Sequence, residues 1–212
     1  MELLFSAPQP AFAAALTKEL SGLEGISITE ASILDLSCDA IVSPANSYGF
    51  MDGGIDAIYT EHFGEIVQTR VRENILYEHH GELLVGSATI VETDDDKVPF
   101  LIAAPTMRVP MWLGPESVNP FLAMRAVLLL VREGSFTRGR ENGTLIKDRV
   151  KRIAVPGLGT GVGGVPFPVC ARQIAQAIAE YRDAKYWLPQ SWSEASENHI
   201  RLYSDRIVSL QK

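Results

Sequence analysis

The segment VSPANSYGFMDGGID, from Val42 to Asp56, leaves an apolar run and enters a loop studded with glycines. An apolar run that stops at a proline is typical of a short buried strand. The loop places an amide, Asn46, ten residues before a carboxylate, Asp56. An Asn amide orients hydroxyl groups, and an Asp accepts a proton from water or binds a sugar hydroxyl. The alternative is structural, with Asn46 stabilising a turn and Asp56 capping a helix that follows.

A second glycine loop, PGLGTGVGG at residues 156–164, follows another apolar run and precedes a predicted helix. Glycine lets a backbone turn its N–H groups inward and approach a ligand closely. The following helix would add its positive end, which suits a phosphate or diphosphate. The loop lacks the Lys-Ser/Thr pair of a Walker loop and the spacing of the dinucleotide fingerprint. An anion site and an ordinary connection therefore both stay open on this loop alone.

Strand-like and helix-like segments alternate along the chain, without an internal repeat or a low-complexity linker. This alternation is typical of a single three-layer α/β domain, and we assign residues 1–212 to one domain. In such sheets ligands bind where several strands deliver their carboxyl ends. Because both glycine loops follow apolar strands, we expect them to face each other across one cleft. We also expect Asn119 to cap the helix that ends near Gly134.

The composition is that of a globular protein, with 212 residues, 46% hydrophobic and 21% charged. The formal net charge of −7 makes nucleic acid an unlikely partner, since it repels a phosphate backbone. A local anion site built from backbone N–H groups remains compatible with that charge. Cys38 and Cys170 lie far apart beside apolar residues, so we predict buried thiols and no metal site.

The two ends of the chain give further expectations. The amino terminus lacks a basic region and is interrupted by Pro8 and Pro10, which argues against a signal peptide. No apolar run approaches the roughly 18 residues of a membrane span. We therefore expect a soluble, cytoplasmic protein that does not bind membranes. Residues 185–212 are predicted to form a C-terminal extension whose tryptophans, Trp187 and Trp192, pack on the domain body.

Four motifs, in this order, resemble the macro domain family over about residues 26–180. They are DAIVSPAN with GGID (39–56), GELLVGSATI (81–90), FLIAAPTM (100–107) and RIAVPGLGTGVGGVP (152–166). The first is similar to the family's usual DAIVNAAN, and PGLGTGVGG is similar to its PAISTGVFG. The resemblance implies a three-layer α/β/α sandwich with a mixed central sheet. It also implies that the ligand is ADP-ribose and that no cofactor is needed.

The resemblance assigns roles to individual residues. Asn46 matches the family residue that contacts the distal ribose, and Asp56 matches an Asp present in many ADP-ribosyl hydrolases. In the implied mechanism Asp56 activates or orients a water that attacks the anomeric carbon, while Asn46 fixes the ribose. The remaining residues implied to bind ADP-ribose are Ser32, Ile33, Ala45, Gly53, Gly54, Ile55, Pro156, Gly157, Gly159, Thr160, Gly161, Val162 and Gly163.

This chain also departs from the family pattern at several positions. Ser32 replaces an Asp that recognises adenine. Asp35, three residues further on, is a candidate substitute, but its position corresponds to a different direction. Gly163 replaces an aromatic residue that often packs on the distal ribose. The departures inside the first glycine loop and its helix are Met51 and Asp52, in place of glycines, and Thr60, in place of a histidine.

Three further residues are candidates on weaker grounds. Arg108 and Trp112 follow a strand end and are candidates to line the cleft. Phe167 follows the second glycine loop, where it would supply the missing aromatic or pack in the core.

The functional expectation is an ADP-ribose-binding domain that acts on ADP-ribose or an ADP-ribosylated protein. Hydrolysis of an ADP-ribosyl bond or of a derivative at the distal ribose is the sharper hypothesis. The alternatives are a non-catalytic reader of ADP-ribose, or a phage-associated structural or interaction module that keeps the fold.

Overall fold

The structure is a computed structural model that describes residues 1–206 and contains six strands and seven α-helices. The strands are β1 (Glu2–Ser6), β2 (Ile26–Thr29), β3 (Ala40–Ser43), β4 (Thr89–Glu92), β5 (Phe100–Ala103) and β6 (Arg152–Val155). The helices are α1 (Pro10–Leu20), α2 (Gly54–Phe63), α3 (Glu65–Glu78), α4 (Asn119–Glu133), α5 (Ile146–Arg149), α6 (Phe167–Ala177) and α7 (Trp192–Arg201). None of the described helices is long and apolar enough to cross a membrane.

The strands form one sheet in the order β2-β1-β6-β3-β5-β4. All neighbours are parallel except β4, which runs antiparallel to β5 as the second arm of a hairpin. Side chains alternate between the two faces, as a strand requires. Ala40 and Val42 of β3 pack into one apolar core, and Ile41 between them packs into the other.

Helices cover both faces of this sheet. Helices α1, α4 and α6 contribute to the first core, and α2 and α3 contribute to the second. The three-layer α/β/α sandwich with a mixed sheet, predicted from the sequence, is confirmed. Strands β3 and β6 are adjacent and parallel, so the loops after Ser43 and Val155 leave the sheet side by side.

Two local expectations need correction. Asn119 is the first residue of α4 and not its N-cap, and its side-chain amide donates to the Thr106 carbonyl oxygen at 2.7 Å. This bond ties α4 to the loop after β5. In the C-terminal extension, Trp192 is 76% exposed, so most of its side chain faces away from the body, whereas Trp187 is half-buried. The last part of that extension, residues 207–212, lies outside the described residues.

Candidate functional site

A cleft of about 570 Å³ opens at the carboxyl edge of the sheet. It receives residues from the segments after five of the strands, β1, β2, β3, β5 and β6, and both glycine loops form its walls. The expectation that these loops face each other across one cleft is thus confirmed. The residues predicted from the sequence to bind ligand or to catalyse all lie in the wall of this cleft: Ser32, Ile33, Ala45, Asn46, Gly53, Gly54, Ile55, Asp56, Pro156, Gly157, Gly159, Thr160, Gly161, Val162 and Gly163.

The second glycine loop (residues 156–164) turns on itself and leaves its central N–H groups free. The carbonyl oxygens of Gly159 and Gly161 accept hydrogen bonds from residues 165 and 164. Within residues 1–206, no atom accepts a hydrogen bond from the N–H groups of residues 159–163. Successive unpaired N–H groups of this kind form an anion-binding concavity. Helix α6 begins only at Phe167 and does not line the cleft, so the expected contribution of its positive end is absent from the described wall.

The charge of the cleft is carried by carboxylates alone. Asp52 and Asp56 line it, and its described wall contains no Lys, Arg or His. An anionic group would therefore be held by uncharged backbone N–H donors. Within residues 1–206, no group of three or more His, Cys, Asp or Glu side chains is placed to hold a metal ion.

Asp56 occupies the first turn of α2 and is 7% exposed. The helix begins at Gly54, so Asp56 does not cap it, and that structural alternative is wrong. Its Oδ1 accepts a hydrogen bond of 2.6 Å from the hydroxyl of Ser43. Burial raises the pKa of Asp56 from 3.8 to about 6, while the Ser43 hydrogen bond acts in the opposite direction. The result is a carboxyl group at the cleft wall that changes charge near neutral pH.

Asn46 also lies in the cleft wall, but its amide is engaged with its own loop. Oδ1 accepts from the N–H groups of Tyr48 at 3.1 Å and Phe50 at 3.3 Å, and Nδ2 donates to the Phe50 carbonyl at 2.8 Å. The turn-stabilising alternative is therefore correct. One amide hydrogen of Asn46 remains for a ligand, because the NH₂ group carries two.

Met51 explains how the first glycine loop (residues 44–54) is fixed. Its side chain is only 1% exposed and belongs to the core beneath α2 and α3. Its N–H donates to Gln68 Oε1 at 2.6 Å, and its carbonyl accepts from the Thr60 hydroxyl at 2.8 Å. Met51 is thus an anchor that faces away from the cleft. Its neighbour Asp52 is exposed and lines the cleft.

The segment after β2 also contributes to the cleft wall, where Ser32 precedes the short 3₁₀ turn Ile33–Asp35. Ser6, Pro8 and Gln9 complete this part of the wall. Asp35 does not belong to the described wall, so it does not replace the missing adenine-recognising Asp from its own position. The neutral hydroxyl of Ser32 is the polar side chain that the structure offers at this place.

The segment 107–114 links the two glycine loops. Ser47 N–H donates to the carbonyl oxygens of Met107 and Arg108, and Leu113 N–H donates to the Gly163 carbonyl at 2.8 Å. Leu113 also fills the space beside Gly163. A Cβ at Gly163 would lie 2.9 Å from Leu113 Cδ1 and 2.5 Å from the Gly159 carbonyl oxygen. Gly163 is therefore a glycine because its surroundings exclude a side chain.

Three weaker candidates do not lie in the described wall. Arg108 points to the surface and pairs with Glu82 at 2.6 Å. The Trp112 ring lies against the backbone of Gly164. Phe167 packs on Phe12 with ring centroids 5.2 Å apart, which confirms the core alternative for that residue.

The sequence reasoning missed several wall residues, which are Phe50, Ile58, Thr106, Met107 and Pro110. The signal for Thr106 and Met107 was the motif FLIAAPTM, which ends at the carboxyl edge of β5 beside the first glycine loop. Ile58 lies four residues after Gly54 and so on the same side of α2. Phe50 had no sequence signal other than its place in the loop.

A family model described as Macro domain matches residues 42–174. The chain belongs to the macro domain family. That family is an ADP-ribose-binding family. An uncharacterized protein of Aquifex aeolicus is 34% identical to this chain over 157 residues, which are 74% of this chain and 82% of that protein.

Two more proteins are similar to this chain. A Salmonella gallinarum protein named O-acetyl-ADP-ribose deacetylase is 26% identical, over 88% of this chain and 95% of its own length. The solved structure of an Oceanobacillus iheyensis macrodomain with ADP has a TM-score of 0.57 and 22% identity, over 72% of this chain and 74% of that chain. The structural likeness supports the shared fold.

Proposed function

We propose that this macro domain binds ADP-ribose and hydrolyses a bond at its distal ribose. The observation that carries the proposal is the joint placement of two features in one cleft. A buried carboxyl, Asp56, lies in one wall, and the free N–H groups of residues 159–163 lie in the other. A diphosphate anchored on those N–H groups would present the attached sugar to the loop that carries Asp56.

The cleft provides a distinct environment for each part of the ligand. Adenosine would occupy the part of the cleft near Ser32 and Ile33, which line its wall with a hydroxyl-bearing and an apolar residue. The diphosphate would bind the second glycine loop. The distal ribose would rest on Gly53 and Gly54, where no side chain intervenes and the spare amide hydrogen of Asn46 is within the same wall.

Asp56 is suited to act on water. Above pH 6 its carboxylate accepts a proton from a water molecule whose oxygen attacks the anomeric carbon of the distal ribose. The new bond joins that oxygen to the anomeric carbon, and the bond from the anomeric carbon to the acceptor group breaks. The proton held by Asp56 is then passed to the departing group. The remote diphosphate contacts supply binding energy that positions the reacting atoms.

The 26% identical relative named O-acetyl-ADP-ribose deacetylase suggests a second linkage for the same site. With an ester on the distal ribose, water would attack the acyl carbon and the ribose oxygen would depart. The same carboxylate would take the proton. Assays with both an O-acetyl ester and a mono-ADP-ribosylated protein are therefore needed.

A non-catalytic reader is the second candidate, and one observation favours it. Both polar atoms of the Asn46 side chain already hold the first glycine loop, which leaves little freedom to adjust to a transition state. A reader needs only a preformed cleft. It would bind ADP-ribose on a partner protein and release nothing.

Calorimetry and a release assay separate these functions. We expect ADP-ribose to bind with a micromolar or lower dissociation constant. The absence of a binding heat at millimolar ADP-ribose would contradict the binding proposal. Gly161→Glu should block the diphosphate site, because its side chain would enter the cleft. Gly161→Ala is the matched control, since a Cβ there meets no atom within 4 Å. Undiminished binding by Gly161→Glu would mean that the diphosphate lies elsewhere.

The release assay tests the role of Asp56. Asp56→Ala should abolish release of ADP-ribose or acetate while leaving binding largely intact. Asp52→Ala removes the other carboxylate of the cleft and serves as the control, with activity retained. An unchanged rate in Asp56→Ala would remove Asp56 from catalysis. Binding without release by the native protein would support the reader instead.

A further inference from the structure

Phe50 is the one aromatic side chain in the cleft wall within residues 1–206. Its side chain is 49% exposed. A single exposed aromatic needs no functional explanation by itself. The contacts that hold Phe50 in place are what set it apart.

The backbone of Phe50 is fixed from both sides by Asn46. The Asn46 amide donates to the Phe50 carbonyl at 2.8 Å, and its oxygen accepts from the Phe50 N–H at 3.3 Å. The next residue, Met51, is anchored in the core. Phe50 therefore follows a braced turn and precedes a buried anchor, so its backbone has little freedom.

The ring of Phe50 is also supported. The guanidinium carbon of Arg72 lies 4.3 Å from the ring centroid, and Arg72 Nη1 donates to the Tyr48 carbonyl at 2.9 Å. An Arg in this position attracts the ring face through its quadrupole and covers it. Phe50 is covered by Arg72 on one ring face and also lines the cleft. The arrangement is a rigid apolar wall on the same loop as Gly53 and Gly54.

The opposite loop is unable to supply such a wall. A Cβ at Gly163 would meet the Gly159 carbonyl and Leu113, and Phe167 is packed in the core against Phe12. Both positions considered for the family's ribose-packing aromatic are thus closed in this chain. In this chain the second glycine loop contributes no aromatic residue to the cleft wall, and the first glycine loop contributes Phe50.

We propose that Phe50 is a specificity-determining residue that packs against the apolar face of the distal ribose, in place of the aromatic that related macro domains carry at the position of Gly163. The proposal rests on the proposed binding of ADP-ribose. In this proposal Phe50 contacts the distal ribose only and does not contribute to recognition of the adenosine or the diphosphate.

Calorimetry with ADP-ribose and ADP tests this directly, because ADP lacks the distal ribose. Phe50→Ala should weaken ADP-ribose binding by about tenfold, the equivalent of roughly 60 Å² of lost apolar contact, and leave ADP affinity unchanged. Phe50→Tyr should keep the native preference, since the ring is retained. Tyr77→Ala is the matched control, because Tyr77 is also exposed and covered by an arginine, Arg138, but lies outside the described cleft wall.

The outcomes separate the two proposals. If the native protein binds ADP-ribose and Phe50→Ala binds it equally well, the role of Phe50 is overturned and the proposed function stands. If Phe50→Ala loses affinity for ADP and ADP-ribose alike, Phe50 maintains the loop and is not a ribose contact, which also overturns the proposal. If the native protein binds neither ligand, the proposed function itself fails. Thermal unfolding of each variant confirms that the fold is retained.

Discussion

The hydroxyl of Ser43 donates a hydrogen bond of 2.6 Å to Oδ1 of Asp56 and thereby joins the end of β3 to the first turn of α2. Both residues are buried. Ser43 stands where the family motif DAIVNAAN has an asparagine, so this bond belongs to the chain's own version of the site. Burial raises the pKa of Asp56, and the Ser43 bond limits that rise. The carboxyl group therefore titrates at about pH 6 through a balance of two opposing effects.

The first prediction concerns Ser43→Ala. Without the donated hydrogen bond the charged form of Asp56 is less stable, so the pKa of Asp56 should rise further. Any Asp56-dependent hydrolysis should then shift its acid limb to higher pH. The lost bond should also lower the free energy of unfolding by about 1–3 kcal/mol. The carboxyl carbon shift of Asp56, followed by NMR across pH, gives the pKa without relying on activity.

The control for this experiment is Ser47→Ala. Ser47 is buried as well, but the hydroxyl that donates to Asp56 is that of Ser43. We expect the titration of Asp56 to be unchanged in that variant. A Ser43→Ala protein in which Asp56 titrates as in the native chain would show that the Ser43 bond does not set the charge of the site.

The second prediction is that the buried carboxylate costs stability above pH 6. The folded-state pKa of Asp56 is raised from 3.8 to about 6, so the folded chain binds this proton more tightly than the unfolded chain. The contribution to stability is fully present below pH 3.8 and is lost as pH rises through 6. The loss amounts to about 3 kcal/mol at most, from 1.36 kcal/mol per unit.

Asp56→Asn removes that ionisation. Relative to the native protein, it should raise the free energy of unfolding by about 2–3 kcal/mol at pH 8 and by much less near pH 4. Urea unfolding at the two pH values measures the difference. Asp52→Asn, which alters an exposed carboxylate in the same cleft, is the control and should not show this pH dependence. Equal effects of Asp56→Asn at both pH values would contradict a raised pKa.

The parts of this site that sequence could predict are those that follow from strand ends and loop composition. Apolar runs before Pro44 and Pro156 locate two strands, and parallel neighbours deliver their loops to one edge. Because β3 and β6 are adjacent, Asn46, Asp56 and the second glycine loop reach one cleft. The local sequence pattern is therefore sufficient to predict which loops form the cleft.

The contacts between distant segments were beyond sequence reasoning. Nothing in the motif around Gly163 indicates that Leu113, fifty residues earlier, would occupy its side-chain space. The position of Met51 in a glycine loop gives no indication that its side chain packs in the core. The sequence does not indicate the hydrogen bond between Ser43 and Asp56, because Ser43 ends a strand and Asp56 lies inside a helix. Such pairings are set by tertiary packing and have no local period to reveal them.

A third prediction follows from the space at Gly163. Gly163→Ala places a Cβ 2.5 Å from the Gly159 carbonyl oxygen, which already accepts from Val165 N–H. Something must move, and we expect a loss of about 1–3 kcal/mol of unfolding free energy. Gly161→Ala is the matched control in the same loop, where open space and an unstrained backbone predict a change between zero and a gain of about 1 kcal/mol.

Thermal or urea unfolding of the two variants decides this point. Similar stabilities for Gly163→Ala and Gly161→Ala would mean that Leu113 and the Gly159 carbonyl can shift to accommodate the added Cβ at little cost in free energy. A larger residue at the same position, as in Gly163→Phe, should be still more destabilising. It should therefore fail to place an aromatic ring in the cleft wall at this position.

The last prediction concerns the anchor of the first glycine loop. Gln68→Leu removes the acceptor of the Met51 N–H, which sits 2.6 Å from Gln68 Oε1 in the native protein. An unsatisfied and partly buried donor costs about 1–3 kcal/mol, so the loop should open more often. Hydrogen exchange of the Met51 amide should accelerate, and ADP-ribose should bind more weakly because the loop must be ordered on binding.

Gln68→Glu is the matched control, because a carboxylate oxygen accepts the same hydrogen bond and the side chain keeps its length. Exchange at Met51 should stay slow in that variant, and affinity should remain close to native. The Thr60 hydroxyl holds the Met51 carbonyl independently at 2.8 Å, so Thr60→Val combined with Gln68→Leu should accelerate exchange beyond either change alone. Unaltered Met51 exchange in Gln68→Leu would show that the buried Met51 side chain suffices to hold the loop, with the two polar contacts adding nothing.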